Sequence, residues 1–520
     1  MDPAAAIELE ILNRQKPIDE AIARGLSDVQ KFYKNTNVFI TGGTGFIGKQ
    51  LIEKLLRSCD INKIYILIRR KKGKNVKERF SEITSEAVFN RLREKKPKFE
   101  EKLVPVEGDI AELDLGLTDH DRTIICEQVN VIFHVAATTR FDEPLKVATA
   151  VNLRGTREAL SLGRDCKKLK TFVHVSTAYV HATHQRVNTE VHEEFYPCTW
   201  SPEAMLAIAE KLDAEQLDAI TPSIIKGWPN TYTFEKALAE ALVKNASDLP
   251  ICIVRPAVVI GAYYEPMPGW LDKTCLFGAN AIVASPGLGL THVIYADVSS
   301  KSSVVPVDYV NNSIIVAGYV TANVRSDVPK IYALTSVSRN MITFGQIQKY
   351  ALEFAAKMPS PKALWDVFVV FTASPTLFLL LTWILQYLPA YIVDTFLKVT
   401  GNKPRFVDVN TKVYKTNVAL SYFSSKTWYF QDKNMEELFN NLSKTDQVIF
   451  NFDVASINWV EYINVWCLGI RKYLLEDNLT DAEYAQRKRI GFKIANYVIL
   501  MLLVYFVWKI LGCSVCLYLK

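Results

Sequence analysis

A tyrosine and a lysine four residues apart, Tyr232 and Lys236, give the clearest chemical signal in the sequence. On a helix this spacing places both side chains on one face. A free tyrosine titrates near about 10, and a nearby ammonium group stabilises the phenolate and lowers that pKa. The tyrosine can then donate a proton to a carbonyl oxygen while a hydride reaches the carbon. Chance matches to Tyr-x-x-x-Lys are common, so the pair needs support from other motifs.

Two hydroxyl side chains, Ser176 and Thr177, end the apolar run TFVHVST. A hydroxyl group at the end of a strand can hydrogen-bond the same carbonyl oxygen and share in stabilising its negative charge. We therefore predict a catalytic group formed by Tyr232, Lys236, Thr177 and Ser176. The histidines His134, His174 and His181 are dispersed over strands and strand ends, and we interpret them as structural.

A glycine-rich turn, TGGTGFIG at residues 41 to 48, lies between a predicted strand and a predicted helix. This context is typical of a turn that holds a dinucleotide pyrophosphate at a helix N-terminus. Gly42 permits the tight turn, Gly45 lets the backbone approach the phosphates, and Gly48 lets the helix pack closely on the sheet. No Gly-Lys-Ser/Thr follows, so an ATP-type phosphate loop is excluded. The predicted cofactor contacts in this turn are Thr41, Gly42, Gly43, Thr44, Gly45, Phe46, Ile47 and Gly48.

The end of the second predicted strand indicates which dinucleotide binds. Arg69 begins the basic run RRKKGK there, whereas an acidic residue at this place normally binds the ribose of NAD. A cation suits the 2′-phosphate of NADP, so we predict NADPH, with Arg69 as a ligand. The later lysines are interpreted mostly as a solvated loop, or as an attraction for a second phosphorylated ligand. Asp109 and Ile110 follow the third strand, where an adenine would rest. Ala136 ends the fourth strand, on the path to the nicotinamide.

Predicted strands and helices alternate through the first two thirds of the chain. The apolar runs are NVFIT, IYILIRR, LVPVEGDI, NVIFHVAA, TFVHVSTAY and ICIVRPAVVIG. This alternation predicts an α/β fold with a Rossmann-like, doubly wound parallel sheet. We expect an NADP-binding domain over 1–345, an apolar connecting segment over 346–393, a mainly helical domain over 394–490 and a transmembrane tail over 491–520.

The composition indicates a folded chain in a reducing compartment. The 520 residues include 61 Lys+Arg and 55 Asp+Glu, and the net charge of +6 is too weak to indicate a nucleic-acid partner. The nine cysteines have no disulfide-framework spacing, and the one C-x-x-C pair, Cys513 and Cys516, lies in an apolar stretch with no histidine or third thiol near it, so we expect no bound metal. The N-terminus has no apolar segment of the kind that a signal peptide carries.

Two apolar stretches predict membrane contact. Residues 494–519, broken only by Lys509, would span about 39 Å as a helix, enough for a bilayer core of about 30 Å. Basic residues between 487 and 493 precede this stretch and would keep the rest of the chain in the cytosol. The alternative for the tail is a buried core helix. The uncharged stretch 367–393 contains Pro375, which we expect to divide it into pieces too short to cross, giving a re-entrant or interfacial hairpin or an acyl-pocket wall.

These motifs together resemble the extended short-chain dehydrogenase/reductases and, more narrowly, the alcohol-forming fatty acyl-CoA reductases. The matching stretches are TGGTGFIG, VHVSTAYV, PNTYTFEKALAE, IVRPAVVIGAYYEPMPGW and VPVDYV, followed by LPAYIVD, YFSSKTWYF and FNFDVASINWVEY. The resemblance covers roughly residues 30 to 480, and the last three stretches are the ones specific to this family. Two residues depart from the pattern: Glu235 before the lysine, and Gln386 where a histidine is common.

The resemblance implies NADPH-dependent reduction of long-chain acyl-CoA to a primary alcohol in two hydride transfers, through an aldehyde and with release of CoA. Such an enzyme supplies alcohols for waxes, ether lipids or pheromones. Tyr232 and Thr177 would hold the substrate oxygen, and Lys236 the nicotinamide ribose. No cysteine has the surroundings of an acyl-enzyme nucleophile, which favours direct hydride transfer.

The resemblance also implies acyl-CoA and a lipid bilayer as partners. The expected location is the membrane of the endoplasmic reticulum or the peroxisome, with the active site facing the cytosol, and a homo-oligomer is left open. Three alternatives remain at this stage: a reductase that stops at the aldehyde, a membrane-bound dehydrogenase of the sterol or sugar-nucleotide type, and a catalytically silent lipid-binding protein.

Overall fold

The central sheet of the protein has seven parallel strands. The computed structural model describes residues 3–518 except 72, 325, 478 and 480, and omits the side chains at 3, 503, 506, 507 and 510–518. The strands are β1 Asn37–Thr41, β2 Lys63–Ile68, β3 Leu103–Glu107, β4 Val131–His134, β5 Thr171–Val175, β6 Ile251–Pro256 and β7 Lys330–Leu334. Their order is β7-β6-β5-β4-β1-β2-β3, and every neighbouring pair is parallel.

This order confirms the predicted doubly wound parallel sheet. The strand order reverses between β1 and β4, and such sheets bind ligands beyond the carboxyl ends of the strands at that point. The strands are apolar because helices cover both faces, and Val38, Phe39 and Ile40 of β1 are fully buried. The seventh strand, β7, was not among the strands predicted from the sequence.

Helices pack on the sheet and continue into the second half of the chain. Those of the sheet-containing part are Phe46–Ser58, Val76–Thr84, Asn90–Lys95, Asp119–Gln128, Leu145–Ala148, Gly155–Asp165, Pro202–Lys211, Ala214–Ile224, Thr231–Lys244, Gly278–Gly287 and Val307–Asn323. Those that follow are Phe344–Lys357, Pro375–Thr382, Leu388–Val399, Phe406–Ser424, Lys433–Asn440, Lys444–Ile449, Trp459–Gly469 and Ala482–Tyr518. The second half is thus mainly helical, as predicted.

Short strand pairs connect distant parts of the chain. The pairs are Val258–Ile260 with Val304–Pro306, Lys301–Ser302 with Ile342–Thr343, Val293–Tyr295 with Val370–Thr372, and Glu190–Val191 with Tyr429–Phe430. The last pair hydrogen-bonds a loop of the sheet-containing part directly to the helical part.

Three further helices precede β1: Pro3–Arg14, Lys16–Arg24 and Asp28–Tyr33. They pack against the helical second half. An Arg14 guanidinium nitrogen lies 2.8 Å from a Glu461 carboxylate oxygen, and the Ser27 hydroxyl donates to Asp446. The N-terminal helices therefore connect the two ends of the chain.

A single helix runs through residues Pro375–Val399, with a π-helical turn at Trp383–Tyr387. We expected Pro375 to divide this stretch into two pieces too short to cross, and this is wrong for the second piece: Pro375 separates the strand Val370–Thr372 from the helix, but the helix is 25 residues long. Pro375 occupies the first turn of the helix, where the N–H that proline lacks has no intrahelical acceptor in any case. The helix also continues past residue 393, where we expected a domain boundary. At 25 residues, it is the one helix in the described part of the chain that is long and apolar enough to cross a membrane, although a core helix would pass the same test.

The helix after the glycine-rich turn, Phe46–Ser58, is buried almost all round. Lys54 pairs with Glu265 and donates a hydrogen bond of 2.6 Å to the Ile449 carbonyl oxygen. Arg57 bonds both Glu53 and Glu265, with nitrogen–oxygen distances of 2.7 Å. The helices Val307–Asn323 and Asn90–Lys95 pack against this helix, and its charged side chains neutralise one another inside the protein.

Candidate active site

The glycine-rich turn closes tightly at the carboxyl end of β1. Gly42 has φ +77°, and a Cβ atom there would lie 2.6 Å from the Ala136 nitrogen. A Cβ atom on Gly48 would lie 2.2 Å from the Gly42 carbonyl oxygen, so neither position accepts a side chain. Gly45 is exposed and begins the helix that starts at Phe46. The first amides of that helix lack intrahelical acceptors, so the turn forms a cradle suited to a pyrophosphate.

Two side chains connect β1 to β4 beside this cradle. The Thr41 hydroxyl lies 2.8 Å from His134 Nδ1 and accepts a hydrogen bond from the Ala136 amide at 3.3 Å. The other ring nitrogen, His134 Nε2, lies 3.0 Å from the Thr156 hydroxyl. His134 therefore links two strands and a helix, and burial lowers its pKa to about 3, so the ring is neutral. It is structural, in line with our interpretation.

Arg69 and Asp109 lie together beyond the ends of β2 and β3. The Arg69 side chain is 62% exposed and its guanidinium lies 3.7 Å from the Asp109 carboxylate. Arg79 donates to the Arg69 carbonyl oxygen, and burial together with the nearby Arg69 charge lowers the pKa of Arg79. Sequence reasoning missed Arg79 because it lies in a separate helix, ten positions further along the chain. Ile110 packs against Gly155, where a Cβ atom would lie 2.6 Å from it.

The proposed catalytic side chains meet at the carboxyl end of β5. Tyr232 and Lys236 lie on one face of the helix Thr231–Lys244, and the Thr177 side chain is near enough to Tyr232 to lower the pKa of its phenol. The Lys236 ammonium donates to the Val175 carbonyl oxygen at 2.8 Å. The Thr177 hydroxyl also accepts from the Tyr179 amide at 3.2 Å, which fixes its position. The Ser176 hydroxyl is buried and has no hydrogen-bond partner in the described structure.

The ionisation of this group differs from our expectation for the tyrosine. Burial raises the pKa of Tyr232 to about 12, and the nearby Thr177 side chain opposes that shift only in part. Burial also lowers the pKa of Lys236 to about 8, while the Glu240 carboxylate acts in the opposite direction. Tyr232 is thus held in its proton-donating form.

Buried polar residues surround the catalytic helix. Glu240, one turn beyond Lys236, accepts from Arg255 at 2.9 Å and lies 3.8 Å from His181. Burial raises the pKa of Glu235 to about 8, and its carboxylate accepts from the Thr149 hydroxyl at 2.6 Å. These contacts fix the helix on the π-helical turn Thr149–Arg154 and on β6. From the sequence, Glu235 was only an unusual residue before the lysine, because Thr149, its hydrogen-bond partner, lies far away in the chain.

His174, another of the histidines that we interpreted as structural, is held by packing and not by hydrogen bonds. His174 is fully buried and its ring stacks on His134 at a centroid distance of 5.3 Å, but neither ring nitrogen has a hydrogen-bond partner in the described structure. Burial holds its pKa well below the usual range. It acts as a neutral packing group and not as an acid or base.

The cysteines in the described part of the chain have no nucleophilic character. Burial raises the pKa of Cys198 to about 11 and that of Cys59, Cys252, Cys275 and Cys467 to about 12. Such thiols are protonated at neutral pH. Among the described residues, no group of three or more His, Cys, Asp or Glu side chains could hold a metal ion. The side chains of Cys513 and Cys516 lie outside the described residues.

Comparison with protein families gives two matches along the chain. A family model described as "Male sterility protein" (NAD_binding_4) matches residues 40–314, and a second with the same description (Sterile) matches residues 385–477. The first covers the glycine-rich turn, β5 and the catalytic helix. The second covers most of the helical second half.

Curated relatives match over nearly the whole chain. "Fatty acyl-CoA reductase wat" of Drosophila melanogaster is 34% identical over 500 residues, which is 95% of each chain. "Fatty acyl-CoA reductase 1" of Homo sapiens is 33% identical over 484 residues, 93% of each chain. Among solved structures, the terminal R domain of the myxalamid PKS-NRPS pathway has a TM-score of 0.55 at 19% identity and covers 90% of this chain and 100% of its own. That structural likeness supports the fold alone.

Proposed function

The chain belongs to the fatty acyl-CoA reductases, and it is therefore an acyl-CoA reductase with a nicotinamide cofactor. We propose that it converts long-chain acyl-CoA to primary alcohol with NADPH. The observation that carries the proposal is the meeting of Thr177, Tyr232 and Lys236 at the end of β5, beside a cradle for a pyrophosphate. The cofactor, when bound, supplies the hydride. All other steps belong to side chains of this protein.

In this mechanism the thioester oxygen lies against the Tyr232 and Thr177 hydroxyls. Thr177 is fixed by the Tyr179 amide, so its hydroxyl can donate to the substrate oxygen. Tyr232 donates its proton as negative charge develops on that oxygen, because its raised pKa keeps the proton on the phenol beforehand. Lys236 holds the ribose hydroxyls of the nicotinamide half and supplies positive charge that stabilises the phenolate formed. As the carbon–sulfur bond breaks, the proton on the former carbonyl oxygen returns through Tyr232 and passes to the sulfur, so CoA leaves as the thiol and an aldehyde remains.

NADPH is favoured over NADH by the charges at the end of β2. The exposed Arg69 guanidinium and the neighbouring Arg79 offer two cations for a 2′-phosphate. Asp109 is the nearest carboxylate, at 3.7 Å, and is positioned to orient Arg69. Asp109 and Ile110 would line the adenine side, and Ala136 the path towards the nicotinamide. A site built for the ribose of NAD would place a carboxylate where Arg69 stands.

The aldehyde is reduced a second time in the same site. An aldehyde accepts hydride more readily than a thioester, since no sulfur lone pair feeds its carbonyl carbon. A long apolar chain also leaves slowly, because each buried CH₂ group contributes about 0.8 kcal/mol to retention. The same Tyr232, Thr177 and Lys236 serve both reductions.

The test is the ratio of NADPH consumed to CoA released, measured with a hydrazine present to trap aldehyde. We expect a ratio of about two with little trapped aldehyde, and products identified as alcohols by mass. A ratio near one with stoichiometric trapping would identify a reductase that stops at the aldehyde. No CoA release from any acyl-CoA would support a catalytically silent lipid-binding protein.

We also propose that the protein is bound to a membrane through its tail and through the helix Pro375–Val399. Leu380, Ile384, Leu388, Ile392 and Phe396 form an exposed apolar stripe on that helix. The next helix, Phe406–Ser424, packs along it and exposes Asp408, Lys412 and Lys415. Charged side chains on the partner helix do not suit a pair of crossing helices, so an interfacial hairpin is favoured.

The tail helix is attached to the body at its base. Trp365 Nε1 donates to the Asn496 side chain at 2.7 Å, and Asn496 donates to Asp366 at 3.0 Å. Lys488 and Arg489 donate to backbone carbonyl oxygens at 2.9 Å and 2.6 Å. Beyond these contacts, the described apolar side chains between residues 497 and 508 are exposed. We propose that the tail, residues 491–520, crosses the bilayer. The active site would then lie in the cytosol, at the membrane of the endoplasmic reticulum or the peroxisome.

A further inference from the structure

An aromatic series extends from the catalytic tyrosine into the second half of the chain. The Phe141 ring stacks on Tyr232 at a centroid distance of 6.1 Å and an angle of 25°. The Phe423 ring lies 5.4 Å from Phe141. Phe141 belongs to the loop after β4, whereas Phe423 stands near the end of the helix Phe406–Ser424. Phe423, a side chain of the helical part, is thus separated from Tyr232 by a single ring, that of Phe141.

Phe423 also approaches the catalytic threonine. Its ring meets Tyr179 edge to face at 5.3 Å and 83°, and the Tyr179 amide donates to the Thr177 hydroxyl. Phe141, Phe423 and Tyr232 are all partly exposed, so the two phenylalanine rings leave some apolar surface uncovered in the neighbourhood of Tyr232. No polar chemistry in the mechanism makes use of that surface.

The backbone that carries Phe423 is fixed on both sides. The Tyr422 hydroxyl donates to the Ala182 carbonyl oxygen at 3.1 Å, and the Ser424 hydroxyl donates to the Tyr295 carbonyl oxygen at 2.9 Å. The neighbouring Trp428 is 1% exposed. Phe423 is therefore positioned by the surrounding structure and not by its own contacts alone.

We propose that Phe141 and Phe423 form the wall that holds the acyl carbons next to the thioester carbonyl. This proposal rests on the proposed role of Tyr232 as proton donor. The carbons next to the carbonyl must lie close to the tyrosine ring, where the Phe141 ring stands, and the Phe423 ring extends the same apolar surface from Phe141. An apolar wall there aligns the carbonyl with the hydride and excludes water, while the polar CoA part lies elsewhere. The helical second half would thus complete the active site.

The test is the substitution Phe423→Ala in the full-length protein, assayed with dodecanoyl-CoA, palmitoyl-CoA and stearoyl-CoA. We expect kcat/KM to fall by about tenfold to a hundredfold, by the same factor for all three substrates, since the lost contact is close to the carbonyl. The affinity for NADPH and the melting temperature should stay near the wild-type values. The matched control is Phe439→Ala, a partly buried ring of the same half that packs on Phe452 at 5.1 Å, and it should leave kcat/KM unchanged.

Phe141→Ala and Phe423→Leu provide the same test if Phe423→Ala does not fold. The double variant Phe141→Ala/Phe423→Ala should lose less than the product of the single losses, because both rings belong to one wall. Unchanged kcat/KM in the Phe423 and Phe141 variants, or a loss confined to the longest chain, would overturn the proposal. So would a loss that only parallels weaker NADPH binding. A wild-type protein that reduces no acyl-CoA would instead overturn the proposed function itself.

Discussion

We propose separate tasks for Tyr232, Thr177 and Lys236 that follow from their surroundings. The phenol keeps its proton because burial raises its pKa to about 12. The ammonium is anchored on the Val175 carbonyl oxygen, and burial lowers its pKa to about 8, so it is still largely charged at neutral pH. A proton donor beside a fixed cation is suited to protonating a carbonyl oxygen during hydride transfer.

Removing the phenol hydroxyl tests this arrangement. Tyr232→Phe should lower kcat roughly 10²–10⁴-fold, because the ring and its packing remain while the proton donor is lost. NADPH affinity, measured by fluorescence titration, should be nearly unchanged. Tyr65→Phe is a matched control, since its hydroxyl donates to Gln128 at 2.7 Å on another part of the sheet. Near-native activity of Tyr232→Phe would contradict the mechanism.

Cofactor choice is a second question at the residue scale. Arg69→Ala should weaken NADPH binding about tenfold to a hundredfold, since a hydrogen bond to a charged group contributes roughly 1.5–3 kcal/mol, and should leave NADH use nearly unchanged. Arg70→Ala is the neighbouring control, because Arg70 bonds Glu107 at 3.1 Å. The measurement is kcat/KM for both cofactors. Equal losses with NADPH and NADH would refute the role of Arg69.

At the scale of elements, the helix Phe46–Ser58 connects the cofactor turn to the second half of the chain. Its Lys54 and Arg57 meet Glu265 inside the protein. Burial alone would raise the pKa of Glu265, but the Arg57 and Lys54 charges lower it to about 2. The Glu265 carboxylate is therefore ionised, and its ion pairs with Lys54 and Arg57 stabilise the fold.

Glu265→Ala should destabilise the protein by about 3–5 kcal/mol, because it leaves buried cations unpaired. The melting temperature in detergent is the measurement. Glu82→Ala is the control, since the Glu82 pair with Lys74 is exposed and should cost less than about 1 kcal/mol. The Glu265 contribution is fully present above the ordinary carboxyl pKa of 4.5 and is lost as pH falls towards about 2. The difference between Glu265→Ala and wild type should therefore shrink in acid, and a constant difference would contradict this account.

At the scale of the whole molecule, two apolar elements lie outside the packed core: the helix Pro375–Val399 and the tail. Deleting residues 490 to 520 should convert an integral membrane protein into one that binds liposomes peripherally and is released by alkaline carbonate. If the truncated protein is extracted only by detergent, the helix Pro375–Val399 is integral and the interfacial assignment is wrong.

The truncated protein also allows a test of the apolar stripe. Ile384→Glu with Ile392→Glu should weaken liposome binding at least about tenfold, because each isoleucine loses a burial free energy of about 1.5–3 kcal/mol. Co-sedimentation with liposomes is the measurement. Val448→Glu, at an exposed apolar position away from this helix, is the control and should not alter binding. Equal binding by all variants would exclude this surface as the membrane contact.

Local patterns were enough to predict the parts of the fold that depend on neighbours in the chain. The glycine-rich turn, six of the seven strands and the Tyr232–Lys236 pair all follow from short spacings, because a strand, a turn or a helix face is defined within a few residues. Pro375 does begin a new element, because proline favours the first turn of a helix, but the helix continues past residue 393 and is therefore longer than we expected from the sequence.

Contacts between distant segments were decided only by the tertiary structure. The sequence has no signal that Glu265 lies between Lys54 and Arg57, that Arg79 stands beside Arg69, or that Phe423 reaches the ring next to Tyr232. Each depends on how whole elements pack, and packing sums many weak contacts that no single spacing encodes. The sequence alone therefore determined the reaction type and the cofactor turn. The folded chain decided which buried charges are paired and which side chains of the second half stand at the active site.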